Sequence, residues 1–359
     1  MPRPTAIEAA LQFRQQLNSL EMASFRRMSR IYARLMLSVS DEVEKLAAEI
    51  ADMEEPKRAD ILKLARMRRI LRQVEIQAAG FVSIIENEVV FAQEDGIQLA
   101  TQSALRLIEA SLPPDMPDAL KAQVIQSFTA LDSDVIVNVA GLIGDDSPLR
   151  TKIESDFGEG VAGQVEQHLL DGIVRGQNPQ VIARRLASNL ETSMGSGLRW
   201  AMSTVRTAQI KSYQLANHAT YQANSHIVPA WIWHSALDDR TCLSCISQHG
   251  TEHPITERLN DHHNGRCAPL PKAITYADLG LNVKERPVET VQGEQWFRQQ
   301  PTATRRAMMG PAMYEAYKKG EFAFEDLSQP YDDEVYGELL RQASLKDLLG
   351  RRAKEFYAR

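Results

Sequence analysis

Apolar residues near the N-terminus recur every three or four positions: Phe25, Met28, Tyr32, Leu35, Val39, Val43, Leu46 and Ile50. That period predicts a long helix from Thr5 to about Met53 with one apolar face. Arg14, Arg26, Arg27, Arg30 and Arg34 fall mostly on its other faces, as a solvated flank or an oligomer interface. Pro56 breaks the pattern. A second amphipathic helix follows, with Ile61, Leu64, Met67, Ile70, Leu71 and Val74 set against Lys63, Arg66, Arg68, Arg69 and Arg72. The helical pattern continues from Ala78 to Ala110, with a bend or interruption expected at Gly96. The cluster Pro113 to Pro117 is a turn, Asp118 opens a helix through about Leu131, and Gly141 to Pro148 is the best boundary.

The helical period then resumes. One helix is expected from Pro148 to about Leu170, one capped by Asn178 with Pro179 as its first residue, and one from Gly197 to Tyr221. Alternation replaces it only at His226 to His234, HIVPAWIWH, which reads as a strand with Pro229 favouring an edge. Past Lys272 the chain is loop-rich to about Thr290. Trp296, Phe297, Met308, Met309, Met313, Tyr314 and Tyr317 can then wrap short helices around one core, and SLKDLLGRRAKEFYAR is an amphipathic tail helix free to dock on a neighbour. The expected fold is mainly α with a small α+β lobe. Long N-terminal helices fill 1–147, helices lead into a short-stranded Cys/His lobe in 148–273, and a helical cap fills 274–359.

Composition adds limits. With 359 residues, 43% hydrophobic and 25% charged, the chain can bury a real core in two or three domains. A net charge of −6 argues against a chain that is basic overall and wraps nucleic acid, though local basic patches such as the second helix remain. No apolar run reaches membrane-spanning length and MPRPTAIEAALQFRQQL lacks a signal-peptide core, so a cytoplasmic protein is expected.

The chemistry is concentrated between Trp231 and Pro271. All three cysteines lie there, Cys242, Cys245 and Cys267, and His226, His234, His249, His253, His262 and His263 lie within it or just before it. Cys-x2-Cys offers two thiolates from one turn, and a tetrahedron of thiolates and imidazole suits zinc. The set read from the spacing is Cys242, Cys245, His263 and Cys267, with His262 or His253 able to replace His263. Four protein ligands leave no open position, so such a zinc is structural and holds together a lobe with few apolar residues. An odd cysteine count with one close pair also argues against a secreted disulfide framework.

The residues around the cysteines carry more than their spacing. A tryptophan strand, Asp238-Asp239-Arg240-Thr241-Cys242-Leu-Ser-Cys245, Gly250, then His263-Asn-Gly-Arg266-Cys267 and Pro269 resembles the minor head (head morphogenesis) proteins of tailed bacteriophages, the Mu-type minor capsid proteins. Arg206-Thr207 in the preceding helix and the segment from Trp296-Phe297 to Lys319-Gly320 agree in order. The chain departs from the family pattern at Gly265, where relatives place another cysteine, and at Ala208, where they place an acid. The resemblance implies a structural virion component that assembles in the host cytoplasm with the portal protein and major capsid protein. It also implies scaffold and DNA as further partners, and a part in DNA packaging or delivery. A structural Arg206, reaching Asp238 or Asp239, would tie helix to lobe.

Two other functions compete. Asp261-His262-His263-Asn264 looks like the start of an HNH-type metal-dependent nuclease, but no histidine follows Cys267 to complete it. A zinc-stabilised adaptor unrelated to phage is the third reading.

Overall fold

The computed structural model describes residues 5–51, 65–132, 134, 147–158, 179–283 and 291–357. Helices dominate, in order α1 (Ala6–Ala51), α2 (Ala65–Ser111), α3 (Asp118–Gln126), α4 (Pro148–Gly158) and α5 (Pro179–Ala223). Beyond them lie β1 (Ala230–His234), α6 (Leu243–Gln248), β2 (Glu252–Pro254) and β3 (Ala268–Lys272). The C-terminal part holds α7 (Gly293–Gln299), α8 (Thr302–Met309), α9 (Pro311–Lys318), the strands β4 (Ser328–Asp333) and β5 (Gly337–Gln342), then α10 (Leu345–Leu349) and α11 (Lys354–Tyr357).

The elements fall into two compact units that interleave in sequence, one of residues 1–18, 93–141 and 210–359, the other of 19–92 and 142–209. Within the second, Phe25 and Met28 from the expected apolar face of α1 are buried. Arg27 leaves the solvated flank and makes a two-pronged ion pair with the buried Glu88, Nε to Oε1 and Nη2 to Oε2 at 2.7 Å each. Arg206 pairs with Glu21 and lies 5.1 Å from the centroid of the Phe25 ring. It therefore does not tie its helix to Asp238 or Asp239 as the sequence suggested. A guanidinium binds the carboxylate its own helix packs against, and Glu21, itself buried, has more to gain from the pair.

Several sequence boundaries shift. The interruption expected at Gly96 is absent, because α2 runs unbroken for 47 residues. Gly96 sits buried inside it, where packing outweighs the roughly 1 kcal/mol that a mid-helix glycine costs. Likewise α5 starts at Pro179 as expected but continues through Gly195 and Gly197 to Ala223, merging two expected helices. By contrast α3 stops at Gln126 rather than Leu131, since Asn224 holds residue 129 at both backbone groups, accepting from Thr129 N at 2.7 Å and donating to its carbonyl at 2.8 Å. The expected Leu170 helix end, Asn178 cap and Gly141 boundary lie outside the described residues.

In the first unit, β1 is the central strand of a three-stranded antiparallel sheet of order β2-β1-β3, not an edge. Pro229 lies just before it, so no ladder donor is lost, and residues 227 and 228 turn back onto the Asn224 carbonyl. Trp231 and Trp233 are both buried from this strand, packing with Cys245, Leu259 and Cys267.

The C-terminal cap is not wholly helical. Strands β4 and β5 pair antiparallel in register Ser328↔Gln342 to Asp333↔Gly337, a hairpin that Pro330 and a run of acids disguised in sequence. The tail does not form one free helix either. Gly350, at φ 58°, splits it, and Leu345, Ala353 and Phe356 bury themselves in a core with Leu243, Ile246, Phe297 and Leu327. Gly293 seats α7 on α6: its N–H donates to the His249 carbonyl at 2.9 Å, and a Cβ there would stand 1.6 Å from the Ile246 oxygen. Gly293→Ala is expected to lower unfolding free energy by about 1–3 kcal/mol through overpacking, read from the denaturant midpoint.

Candidate metal centre

Cys242 is the N-cap of α6, with extended φ −73° and ψ 160°, and its Sγ accepts from the Cys245 amide at 3.4 Å. A Cys-x2-Cys that opens a helix in this way sets both thiols on one turn, with the exposed amides of that turn favouring a thiolate. His262 Nε2 approaches them, 3.1 Å from Cys242 Sγ and 3.3 Å from Cys245 Sγ. These three donor atoms lie within 4.8 Å of one another.

His262 is aimed by its other nitrogen, since Nδ1 stands 2.7 Å from the His263 carbonyl. That contact is the outer-shell arrangement that fixes the tautomer of a metal-binding histidine and leaves Nε2 for a ligand. The charges agree with the geometry. Hydrogen bonding with Cys245, then with His262 and its charge, brings the Cys242 thiol down to about 4 against the opposing effect of burial. The Cys242 contact in turn raises His262 to about 9, again against burial. Cys245 is pushed well up by its neighbours Cys242 and Cys267 and by burial.

Cys267 stands on the far side of Cys245. Its Sγ is 3.3 Å from Ser235 Oγ, and because that hydroxyl gives its one proton to the Cys245 carbonyl at 2.6 Å, the Cys267 thiol is the donor. Cys242 and Cys245 therefore share a donor cluster with His262, while Cys267 packs beside Cys245 and is not one of the three donors within 4.8 Å. His263 points elsewhere, with Nε2 2.7 Å from Asp333 Oδ2 and its ring edge-on to Tyr336. Burial raises Asp333, but the His263 contact and the Tyr336 and Val335 amides outweigh it and hold the carboxyl below its ordinary range. His253 is stacked on Trp231 at 4.3 Å, its nitrogens directed at Thr251 and Glu257. Adjacent histidines on a loop face opposite sides, and spacing alone does not reveal which side faces the thiols.

Two ion pairs fix the loop that carries His262. Arg266 binds Asp238 through both terminal nitrogens at 2.8 Å each, which ties the DDRTC run to the HNGRC run and draws Asp238 well below the carboxylate range. Asp238 also accepts from the Thr241 hydroxyl at 2.8 Å, which squares the turn into α6. Deeper still, Lys211 of α5 donates to the carbonyl and Oδ1 of Asp261, both at 2.8 Å. Gln214, one turn along, donates to Asp261 Oδ1 at 3.2 Å and to the Cys267 carbonyl at 2.8 Å, while the Cys267 amide donates to Asp261 Oδ2. Lys211 and Gln214 escaped the sequence reading, although their spacing of three on one helix face is the signal that could have found them.

This network also accounts for Gly265. A Cβ at that position would fall inside Asp261 Oδ2 and Cγ, and 2.7 Å from the His262 carbonyl. No side chain has room there once Asp261 turns inward. The hairpin braces the outer side, with Leu340 N donating to the Asn260 carbonyl at 2.6 Å and Gln342 Oε1 accepting from Leu243 N at 3.1 Å.

The donor set is what a borderline-soft cation takes: clustered thiols plus an imidazole with its second nitrogen occupied, in a pocket walled by tryptophans. Among the described residues, no helix is long and apolar enough to cross a membrane. Replacing Lys211 with Met would strand the Asp261 carboxylate without its cation. Lys211→Met is expected to cost about 3–5 kcal/mol in urea unfolding, with Asp261→Asn in the same background recovering part of it.

No curated protein and no solved structure gives a match to this chain. A family model does: residues 163–271 match the one described as Phage Mu protein F like protein. The described part of the match takes in α5, the three-stranded sheet and all three cysteines. Over that stretch, which is less than half of the chain, the sequence is similar to the phage Mu protein F-like family.

Proposed function

We propose that the chain is a structural minor head protein, a virion component that joins the portal and the capsid shell during head assembly, and that its Cys/His lobe is closed by one structural zinc. The observation that carries the assembly role is the Mu F-like match, which runs through the helix α5 and ends within β3, so that the matched stretch encloses the cluster. In this reading the partners are the portal protein and the major capsid protein, with scaffold and DNA as further contacts, and assembly takes place in the host cytoplasm.

The ligands would be Cys242, Cys245, His262 and Cys267. Bound zinc would supply a tetrahedral cross-link between the α6 turn and the loop before β3, in place of apolar core. The chain's own part is to present those ligands: α6 offers two thiols, the His263 carbonyl orients His262, and Lys211 and Gln214 hold both flanks of the loop. A structural role is also favoured by how the HNH-like run is used. Asp261 is bound to Lys211, His262 faces thiols and His263 is paired with Asp333, so each is engaged in holding the lobe together.

Three experiments test this. Elemental mass spectrometry of the purified protein is expected to give one zinc per chain, lost in Cys245→Ser and His262→Ala but kept in His263→Ala; loss in His263→Ala alone would overturn the His262 assignment. Zinc uptake requires loss of the His262 proton and of the Cys245 thiol proton, so affinity is expected to go on rising as pH passes about 9, and calorimetry in buffers of different ionisation heat to show proton release. For the assembly role, the tagged chain is expected to co-sediment with assembled heads and to be recovered with portal rings. A chain absent from purified particles would refute it.

A further inference from the structure

His234 closes β1 with only 8% of its surface exposed and with neither ring nitrogen hydrogen-bonded. It lines a narrow cavity of about 30 Å³ together with Arg14, Arg266, Cys267 and Ala268, all from the first unit. Arg14 reaches in from α1, and one of its terminal guanidinium nitrogens is also buried without a partner. Unbonded donors of this kind are costly in a dry interior, and more so for a charged group.

The electrostatics say what would relieve them. Arg14 is disfavoured as a cation first by burial and then by Arg266, with Arg240 adding to the repulsion, while Asp238 and Cys267 offset part of it. Asp238 is already taken by Arg266. His249 faces His234 at 5.2 Å between ring centroids, and its Nδ1 accepts from the Ser235 amide, so it offers His234 no acceptor. Burial, His249 and Arg14 together push His234 down to about 3, which leaves it neutral with one N–H to give. The cavity thus presents the Arg14 and His234 donors beside a second guanidinium, with Asn18, Tyr213 and Cys267 as its other polar side chains. Its volume takes one monatomic anion or about two waters.

We propose that this cavity is a halide site, in which one chloride-sized anion accepts from the Arg14 guanidinium and the His234 ring and pins the start of α1 to the sheet. The site borders the thiol cluster at Cys267.

The test is thermal unfolding of the full chain at pH 7 and constant ionic strength, with sodium chloride replaced stepwise by sodium gluconate, whose anion is too large to enter. The expected result is a saturable rise in Tm of a few degrees with chloride, reproduced by bromide, and absent in Arg14→Gln. Crystals grown in sodium bromide should show an anomalous peak in the cavity. Equal Tm in chloride and gluconate, the same chloride dependence in Arg14→Gln, or a cavity filled only by water in the bromide crystals would each overturn the proposal. Should Arg14→Gln fail to fold, the bromide crystals of the unaltered chain decide it.

Discussion

Lys211 and Asp261 meet in a place almost closed to water, the lysine side chain 7% and the aspartate 1% exposed. Two opposite charges cannot be taken out of solvent cheaply, and such a pair survives only where further hydrogen bonds complete it. Here they do. The ammonium takes both a carboxylate oxygen and a carbonyl of the same residue, and Gln214 and the Cys267 amide fill the remaining acceptors. The consequence is a loop whose two ends are fixed to one helix, with His262 immediately after the clamped aspartate. Register between α5 and the thiols follows from this pair, and so does the exclusion of any side chain at Gly265.

The same logic of joining distant segments recurs around the lobe. Arg266 and Asp238 bind the two cysteine-bearing runs to each other, the hairpin β4–β5 grips the loop at Asn260 and α6 at Leu243, and Gly293 lets α7 sit directly on α6. Apolar burial in the lobe itself is modest, resting on Trp231, Trp233, Leu259 and the cysteines. A lobe held largely by polar bridges gains more from a cross-linking metal than one with a large core.

Much of this was legible in sequence where the pattern was long and local. Pro179 as a helix start, Asp118 as another, the tryptophan strand and the clustering of the cysteines were readable because each depends on neighbours within a few residues. The fusion of helices across Gly96 and Gly197 was not, since a glycine's cost is overruled by packing that sequence does not display. The hairpin around Asp333 hid behind Pro330 and charge, for its buried face is little more than Leu339. At the site, spacing identified the three thiols but left the histidine open among three candidates. The choice of His262 over His263 rests on one rotated peptide, with Asn264 at φ 59° and the His263 carbonyl turned back onto His262 Nδ1.

The central claim, a closed thiolate and imidazole site built on the α6 turn and the clamped loop, is tested most directly by zinc K-edge absorption fine structure on the zinc-loaded full chain. The account predicts four ligands, three sulfurs at about 2.3 Å and one imidazole nitrogen at about 2.0 Å. A shell dominated by oxygen and nitrogen, or one with only two sulfurs and a water, would contradict it.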